Sequence, residues 1–312
     1  MHVSERIGRR VKLHDLHVLM AVVQAGGMGK AARSLNTSQS AVSRSIVELE
    51  HAFGVRLLDR SRHGIEPTHY GRALLNCGAA VFDELRQGVK RIESLTDPTA
   101  GEIRVAGNEF VIAGLIATAF ARLRRQYPGI SIDVKSILSS EQHRELRERK
   151  IDLVLGRVER SNKDEDIQTE VLFHDRLVAV AGLQSRWSRR RKINLSDIAD
   201  DPWVMPPPDT LAGVLIADLF KRRGLKFPPR GVARGSIHVT CALVASGPFL
   251  GIFPDSLLRL GANLPPLKIL PVELPMPHLP IGIMTLKNRT ISPVAHLFID
   301  CVRKLTKPLV TA

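Results

Sequence analysis

Gln39, Ser40, Ser43 and Arg44 fall within one stretch, Thr37 to Phe53, and offer a carboxamide, two hydroxyls and a guanidinium. These groups donate and accept hydrogen bonds at base edges and phosphates, the chemistry of a major-groove reader rather than of covalent catalysis. The same stretch carries Val42, Ile46, Leu49 and Phe53 at steps of four, three and four, the spacing of a buried helical stripe. Thr37 and Ser38 can accept free amides of its first turn, and Ser38 also joins the candidate contacts. One face packs and the other reads. An ordinary amphipathic surface helix has the same pattern, so the surroundings must decide.

Upstream, Leu13, Leu16, Leu19 or Met20, and Val23 mark a first helix that Ala25, Gly26 and Gly27 end. A second runs from about Met28 to Leu35, where Ala31 and Ala32 allow another helix to approach closely. Three short helices with a polar-faced third form a helix-turn-helix. After Gly54, the run VRLLDRSRHGIEPTHYG predicts two extended segments around Arg62, His63 and Gly64, a wing. Arg56, Arg60, Arg62 and His63 would then lie near a duplex backbone, where cations add affinity without sequence choice.

AARSLNTSQSAVSRSIVELEHAFGVRLLDR, followed by PTHYG, resembles the winged helix-turn-helix of the LysR-type bacterial transcriptional regulators. The resemblance rests on Ala31, Ala32, Leu35, Ser38, Gln39, Ala41, Val42, Ser43, Ile46, Leu49, Glu50, Gly54, Leu57, Arg60, Thr68 and Gly71 in register. Gly27 stands where a capping Ser is usual, Ser40 replaces a Pro, Leu58 a Phe and Pro67 a Leu. These are local changes, and they bear on base contacts rather than on the fold.

From Gly71 to Leu95, Leu74, Gly78, Val81, Leu85, Gly88, Ile92 and Leu95 alternate steps of four and three. That is a heptad seam about 37 Å long at 1.5 Å per residue, and it predicts self-association. The resemblance implies a dimerising linker helix, and two heads would read a pseudo-palindrome. Residues 97–101, DPTAG, form a hinge. Beyond it GEIRVAG, ISIDVKSIL and IDLVLGR read as strands separated by helices at about Ala113 to Tyr127 and Gln142 to Arg149, predicting a parallel sheet covered by helices. Further strands, a helix from Leu211 to Arg223, a second pass through SIHVTCALVASGPFLGIFP, and LPIGIMTL with a helix from Ser292 to Lys304 complete two α/β lobes.

The fold class expected is α/β: a winged helix-turn-helix over 1–70, a linker helix over 71–97, and a two-lobed periplasmic-binding-protein-like effector domain over 101–312. Lobe 1 takes about 101–170 and 277–312, and lobe 2 about 171–276. IDLVLGR, WVMPPPDTL and LPIGIMTLKNRTISPVA resemble the subgroup that controls sugar-uptake or protocatechuate-type aromatic catabolism genes.

Ligands of open α/β sheets sit beyond the carboxyl ends of strands. That places Asn108, Glu109, Phe110, Ser139, Ser140 and Arg157 in lobe 1, and Ser236, His238 and Thr240 in lobe 2, around a small polar effector. The family resemblance adds Pro207 and Thr210. Arg157 could pair with a carboxylate and Glu109 accept from hydroxyls, while each could equally serve a local structural bond.

Composition agrees. With 44% hydrophobic and 24% charged residues the chain is globular, and 45 Lys and Arg against 31 Asp and Glu give +14, favouring a polyanionic partner. Residues 1–72 hold 11 Lys or Arg and 6 Asp or Glu, so most of the excess lies downstream. Cys77, Cys241 and Cys301 form no CxxC, predicting neither a disulfide framework nor a metal site. No apolar run approaches a spanning helix or a signal core, so a cytoplasmic location without membrane partners is expected. GxGxxG, GKS, GxSxG and HExxH are absent, and no catalytic residues or cofactors are predicted. The expected partners are promoter DNA, further copies as a homodimer or homotetramer, a metabolite and RNA polymerase. An enzyme or solute-binding protein using the cleft, or a non-specific nucleoid protein, are the competing readings.

Overall fold

The computed structural model describes residues 11–61, 64–97, 100–158, 164–228, 236–260 and 264–310. The side chains of Arg60 and Ser61 lie outside that description. Two compact units result, divided at Val89 and Lys90.

In the first unit, α1 (Leu13–Ala25) ends at Gly26, whose left-handed φ of 67° suits a residue without a Cβ. Then follow α2 (Met28–Ser34) and α3 (Gln39–Phe53), the wing strands β1 (Leu58–Ser61) and β2 (Gly64–Pro67), and α4 (His69–Thr96). Leu19, Val22, Ala31, Val42, Ile46, Leu49 and Leu57 meet in one core. The stripe predicted for α1 is turned slightly: Leu16, Leu19 and Val22 are buried, Leu13 is exposed and Val23 only partly covered. Likewise Ala52, not Phe53, is the fully buried residue at the end of α3.

The wing is clamped to both neighbouring helices. Glu50 Oε1 accepts the amides of Leu57 at 2.8 Å and Leu58 at 3.3 Å. Thr68 donates its hydroxyl to Arg56 O at 2.8 Å and accepts the Gly71 amide at 3.0 Å. A Cβ on Gly71 would overlap the Leu57 carbonyl, so only glycine lets α4 seat here. The start of the heptad seam, Leu74 and Gly78, packs on the head, with Gly78 facing the Leu16 side chain. Leu85, Ile92 and Leu95, joined by Val89, are exposed.

The second unit holds two sheets. Strands β3 (Ala100–Gly107), β4 (Gly129–Ser136), β5 (Leu153–Arg157), β6 (Ile167–Asp175) and β11 (Leu279–Leu286) form the first, in the order β4-β3-β5-β11-β6. Strands β7 (Leu177–Gly182), β8 (Trp203–Val204), β9 (Leu250–Pro254) and β10 (Leu267–Ile269) form the second, in the order β10-β7-β9-β8. Neither sheet is wholly parallel as expected. In lobe 1 β3 runs parallel to β4 and β5, but β11 is antiparallel to both β5 and β6. Among the described residues of lobe 2, β8 and β9 are parallel while β7 is antiparallel to both β9 and β10.

The chain crosses between lobes at Arg176, some residues after the passage expected near 170, because β6 continues pairing with β11 through Asp175. It returns between β10 and β11. In lobe 1, α5 (Glu109–Val111), a π-helical turn (Ile112–Ile116) and α6 (Ala117–Gln126) form one continuous helical run, and α11 (Pro293–Val310) packs beside α6 in the core. On the opposite side of that sheet lies α7 (Gln142–Arg147). In lobe 2, α8 (Leu211–Arg222) covers one side of the sheet and α9 (Ile237–Ala245) the other, with α10 (Asp255–Leu260) following β9.

Asp152 anchors lobe 1. Its carboxylate accepts from Arg104 Nη2 at 2.8 Å, the Arg104 amide at 2.8 Å and Arg289 Nη2 at 2.7 Å, with Lys90 Nζ of α4 at 3.8 Å. Burial opposes ionisation, but the Arg104 bonds and the two guanidinium charges hold the carboxyl below its ordinary value. A depressed carboxyl pKa stabilises the fold above the unfolded value of about 3.9, and that contribution is lost as pH falls through the folded value.

Asp152→Asn, which removes the carboxylate shared by the half-buried Arg104 and the buried Arg289, is expected to cost about 3–5 kcal/mol at neutral pH. By calorimetry its deficit relative to wild type should shrink on acidification below about pH 4. In the head, Gly71→Ala is expected to cost about 1–3 kcal/mol through overpacking, read as a lowered melting temperature of the first unit.

Candidate nucleic-acid interface and effector cleft

Alternate faces of α3 have opposite surroundings. Val42, Ser45, Ile46, Leu49 and Ala52 are buried, whereas Gln39, Ser40, Arg44, Val47, Glu48 and His51 are exposed and Ser43 is half-buried. Ser38 is the N-cap: its Oγ accepts the Ala41 amide at 3.2 Å and lies 2.9 Å from Ser40 Oγ. Two of the candidate hydroxyls are thus tied to each other in the first turn. The Gln39 carboxamide lies over Gly29 of α2, whose missing side chain leaves it room.

The outward row Ser40, Arg44, Val47 and His51 repeats the four-three-four spacing of the buried row. Val47 and His51 went unread because an apolar and a titratable residue do not look like a polar reading face, yet their spacing was visible. Arg56 is exposed in the turn before β1. Arg60 lies on β1, opposite Ile65, while Arg62 and His63 fall outside the described residues.

In the second unit the strand order β4-β3-β5 sets Ser139, Asn108 with Glu109, and Arg157 along one carboxyl edge. Asn108 Oδ1 caps the following turn, accepting the Val111 amide at 3.0 Å. Glu109 Oε2 reaches the other lobe, 3.5 Å from the Ile237 amide at the start of α9. Phe110 does not join these polar groups, because its ring packs on Phe253, centroids 5.8 Å apart, within the core of lobe 2.

Ser139 is half-buried and Ser140 exposed, in the short turn before α7. The Arg157 guanidinium is partly desolvated, which pushes its pKa down from the ordinary value. Ser236 O accepts the Thr240 hydroxyl at 3.1 Å, and His238 is exposed. Pro207 and Thr210 form their own turn: Thr210 donates to Pro207 O at 2.6 Å and caps α8 through the Gly213 amide at 3.1 Å. The structure therefore joins Glu109 to the start of α9, lines the lobe 1 candidates along one edge, and gives Thr210 a local capping bond.

A profile of the bacterial regulatory helix-turn-helix protein, lysR family, matches residues 13–72, and one of the LysR substrate binding domain matches residues 96–307. The chain belongs to the LysR family of transcriptional regulators. The uncharacterized HTH-type transcriptional regulator YdcI of Escherichia coli (strain K12) is 25% identical over 97% of this chain and 99% of its own length. The uncharacterized HTH-type transcriptional regulator YybE of Bacillus subtilis (strain 168) is 28% identical over 86% of this chain and 90% of its own. The crystal structure of full-length CbnR complexed with its target DNA matches with a TM-score of 0.64 at 21% identity, covering 94% of this chain and 99% of that one. At that identity the match supports the fold.

In this LysR-type regulator several positions escaped sequence reading. Gln142, at the start of α7, is buried, and its Nε2 has no hydrogen-bond partner among the described residues. It lies against Gly156, one residue before Arg157, and a Cβ there would overlap it. No pattern in the sequence distinguishes it from a surface glutamine. At the crossover Asp175 accepts the Ser256 amide at 3.1 Å and its hydroxyl at 2.5 Å; burial pushes the Asp175 pKa up against these bonds. Burial also pushes the Cys241 thiol up, the opposite of a reactive thiolate. Among the described residues no cluster of metal-ligating groups occurs and no helix is long and apolar enough to cross a membrane.

The cap geometry separates two neighbouring hydroxyls. Ser38→Ala should lower head stability by about 1 kcal/mol, while Ser40→Ala should shift it by less than about 0.5 kcal/mol. Calorimetry of the two variants checks the difference.

Proposed function

We propose that this regulator binds promoter DNA sequence-specifically through the outward face of α3, and that a metabolite held between its C-terminal lobes alters that binding. The observation that carries the reading is the division of α3: hydrogen-bonding groups on one face, a closed core on the other. Residues 1–70 act as the DNA-binding domain, 71–97 as the self-associating linker and 101–312 as the effector-binding domain. Ser40, Ser43, Arg44 and Gln39 contact base edges or nearby phosphates. Arg56, Arg60, Arg62 and His63 hold the backbone.

The exposed Leu85, Val89, Ile92 and Leu95 of α4 support a homodimer or a dimer of dimers. The effector is a sugar or an aromatic or organic acid, bound by Glu109, Arg157, Ser139, Ser236 and Thr240. The buried Gln142 amide, whose Nε2 has no partner among the described residues, is added to that set, since an uncompensated buried donor calls for an acceptor. The protein acts in the cytoplasm and engages RNA polymerase at its promoters, without catalysis of its own.

Footprinting on the promoter beside its own gene, with and without candidate sugars and aromatic acids, is expected to show a protected segment whose extent changes with one ligand class. No sequence-selective protection would contradict the reading. Gln39→Ala is expected to weaken discrimination at one or two base pairs by about 1–3 kcal/mol. Arg60→Ala is expected to weaken all sequences and reduce the salt slope by about 0.9. Equal effects of both on specific and random duplexes would overturn this division of labour.

A further inference from the structure

The positive charge of the chain is concentrated outside the head as well as within it. Residues 177–269, which span lobe 2, hold 13 Lys or Arg against 6 Asp or Glu. The remainder beyond the head, 73–176 and 270–312, is nearly balanced at 21 against 19. In lobe 2 the excess gathers in two exposed segments.

The turn after β7 carries Arg186, Arg189, Arg190, Arg191 and Lys192. The end of α8 and the residues after it carry Lys221, Arg222, Arg223 and Lys226. Both segments are pinned to one side of the sheet. Trp187 and Ile193 from the first, and Phe220 and Leu225 from the second, pack in the same apolar cluster with Ala179 and Ala181 of β7. Trp187 also donates its indole N–H to Asp201.

These cations are poorly compensated. Arg186 pairs with Asp201 and Arg222 with Asp218, but Arg189, Arg190, Arg191, Lys192, Lys221, Arg223 and Lys226 have no ion-pair partner among the described residues. Lobe 1 treats its basic run differently. There Arg144 pairs with Glu141, Arg147 with Asp164 and Asp166, and Lys150 with Glu148. The dipole of α8 favours cations at its carboxyl end, which accounts for part of the second segment. The run 189–192 is not helical and has no such reason to exist.

Uncompensated like charges repel one another, and the cost is offset when a polyanion covers them. The cations spread over two segments of an exposed face rather than around a cavity, which suits an extended polyanion. A DNA-binding regulator meets one such partner wherever its head binds. We propose that the α8 side of lobe 2 is a second DNA contact, one that holds phosphates of flanking duplex without reading sequence.

The test compares full-length wild type with Arg189→Gln/Arg190→Gln/Arg191→Gln/Lys192→Gln on random-sequence duplexes of about 18 and about 60 base pairs across a potassium chloride series. On the long duplex the variant is expected to bind at least about tenfold more weakly at low salt. Its slope of log affinity against log salt should be shallower by about 2 to 4, since each neutralised phosphate contributes about 0.9. On the short duplex the change should stay below about twofold. Lys221→Gln/Arg223→Gln/Lys226→Gln should act in the same direction, and fluorescence of Trp187 and Trp203, both in lobe 2, reports whether either variant is folded. Unchanged affinity and slope on the long duplex would overturn the proposal, as would intact DNA binding with reduced transcription by RNA polymerase, which would assign the face to the polymerase instead. Arg56→Ala/Arg60→Ala in the head, the proposed backbone contacts, should weaken binding at both lengths; failure of that control would contradict the role of those head cations and not the lobe 2 surface.

Discussion

The backbone of Leu57 joins the parts of the DNA-binding head. Its amide is held by the Glu50 carboxylate of α3, its carbonyl accepts the Thr68 amide at 2.9 Å and lies against Gly71, and its side chain closes the core at 1% exposure. Helix α3, the wing and the start of α4 therefore share one residue. A shift of the wing cannot occur without disturbing either a charge-assisted hydrogen bond or the close seat of α4. That constraint fixes the outward face of α3 relative to the wing and the start of α4, the placement that the proposed readout of base edges requires.

The effector unit is built on the opposite principle, with two sheets joined where the chain crosses. At one crossing Asp175 is held by Ser256, and the next residue, Arg176, pairs with Asp255 at 2.8 Å. Glu109 and Phe110 at the head of the lobe 1 helical run reach α9 and Phe253 of lobe 2, and Thr118 donates to Leu260 O at 2.7 Å. An effector that prefers one arrangement of the lobes would act against these bonds. Coupling of about 1–3 kcal/mol, the usual allosteric range, is of the same order as one or two of them. Lys90 of α4 donates to Glu102 O at 3.1 Å and faces Asp152, so the end of the linker is fastened to lobe 1 rather than to lobe 2.

Much of this was legible in the sequence because its signals are local. Val42, Ile46 and Leu49 showed the packing side of α3, Gly26 and Gly54 the ends of α1 and α3, and the motif from Ala31 to Gly71 the family. Strand and helix alternation revealed two α/β lobes but not strand direction, since β11 pairs with β5 and β6 across more than a hundred residues and nothing local marks it as antiparallel. The site was less legible. Asn108 was singled out as a polar residue at a strand end and Thr210 by the family resemblance, yet both side chains cap helices; Phe110 is apolar and packs on Phe253. Gln142 gave no signal, because its burial follows from how α7 lies against Gly156. Glu50 and Thr68 were visible only as motif positions, and their purpose became clear from the atoms they hold.

The central claim is that sequence choice resides on the outward face of α3 and is separable from the stability that its inward face supplies. Its most direct measurement is the set of sequences selected from a randomised duplex pool by wild type and by a variant carrying Gln39→Ala and Arg44→Ala, with head stability followed in parallel. The account predicts a selected consensus that loses preference at defined positions, while stability changes by less than about 0.5 kcal/mol per exposed substitution. An unchanged consensus in a folded variant would contradict it.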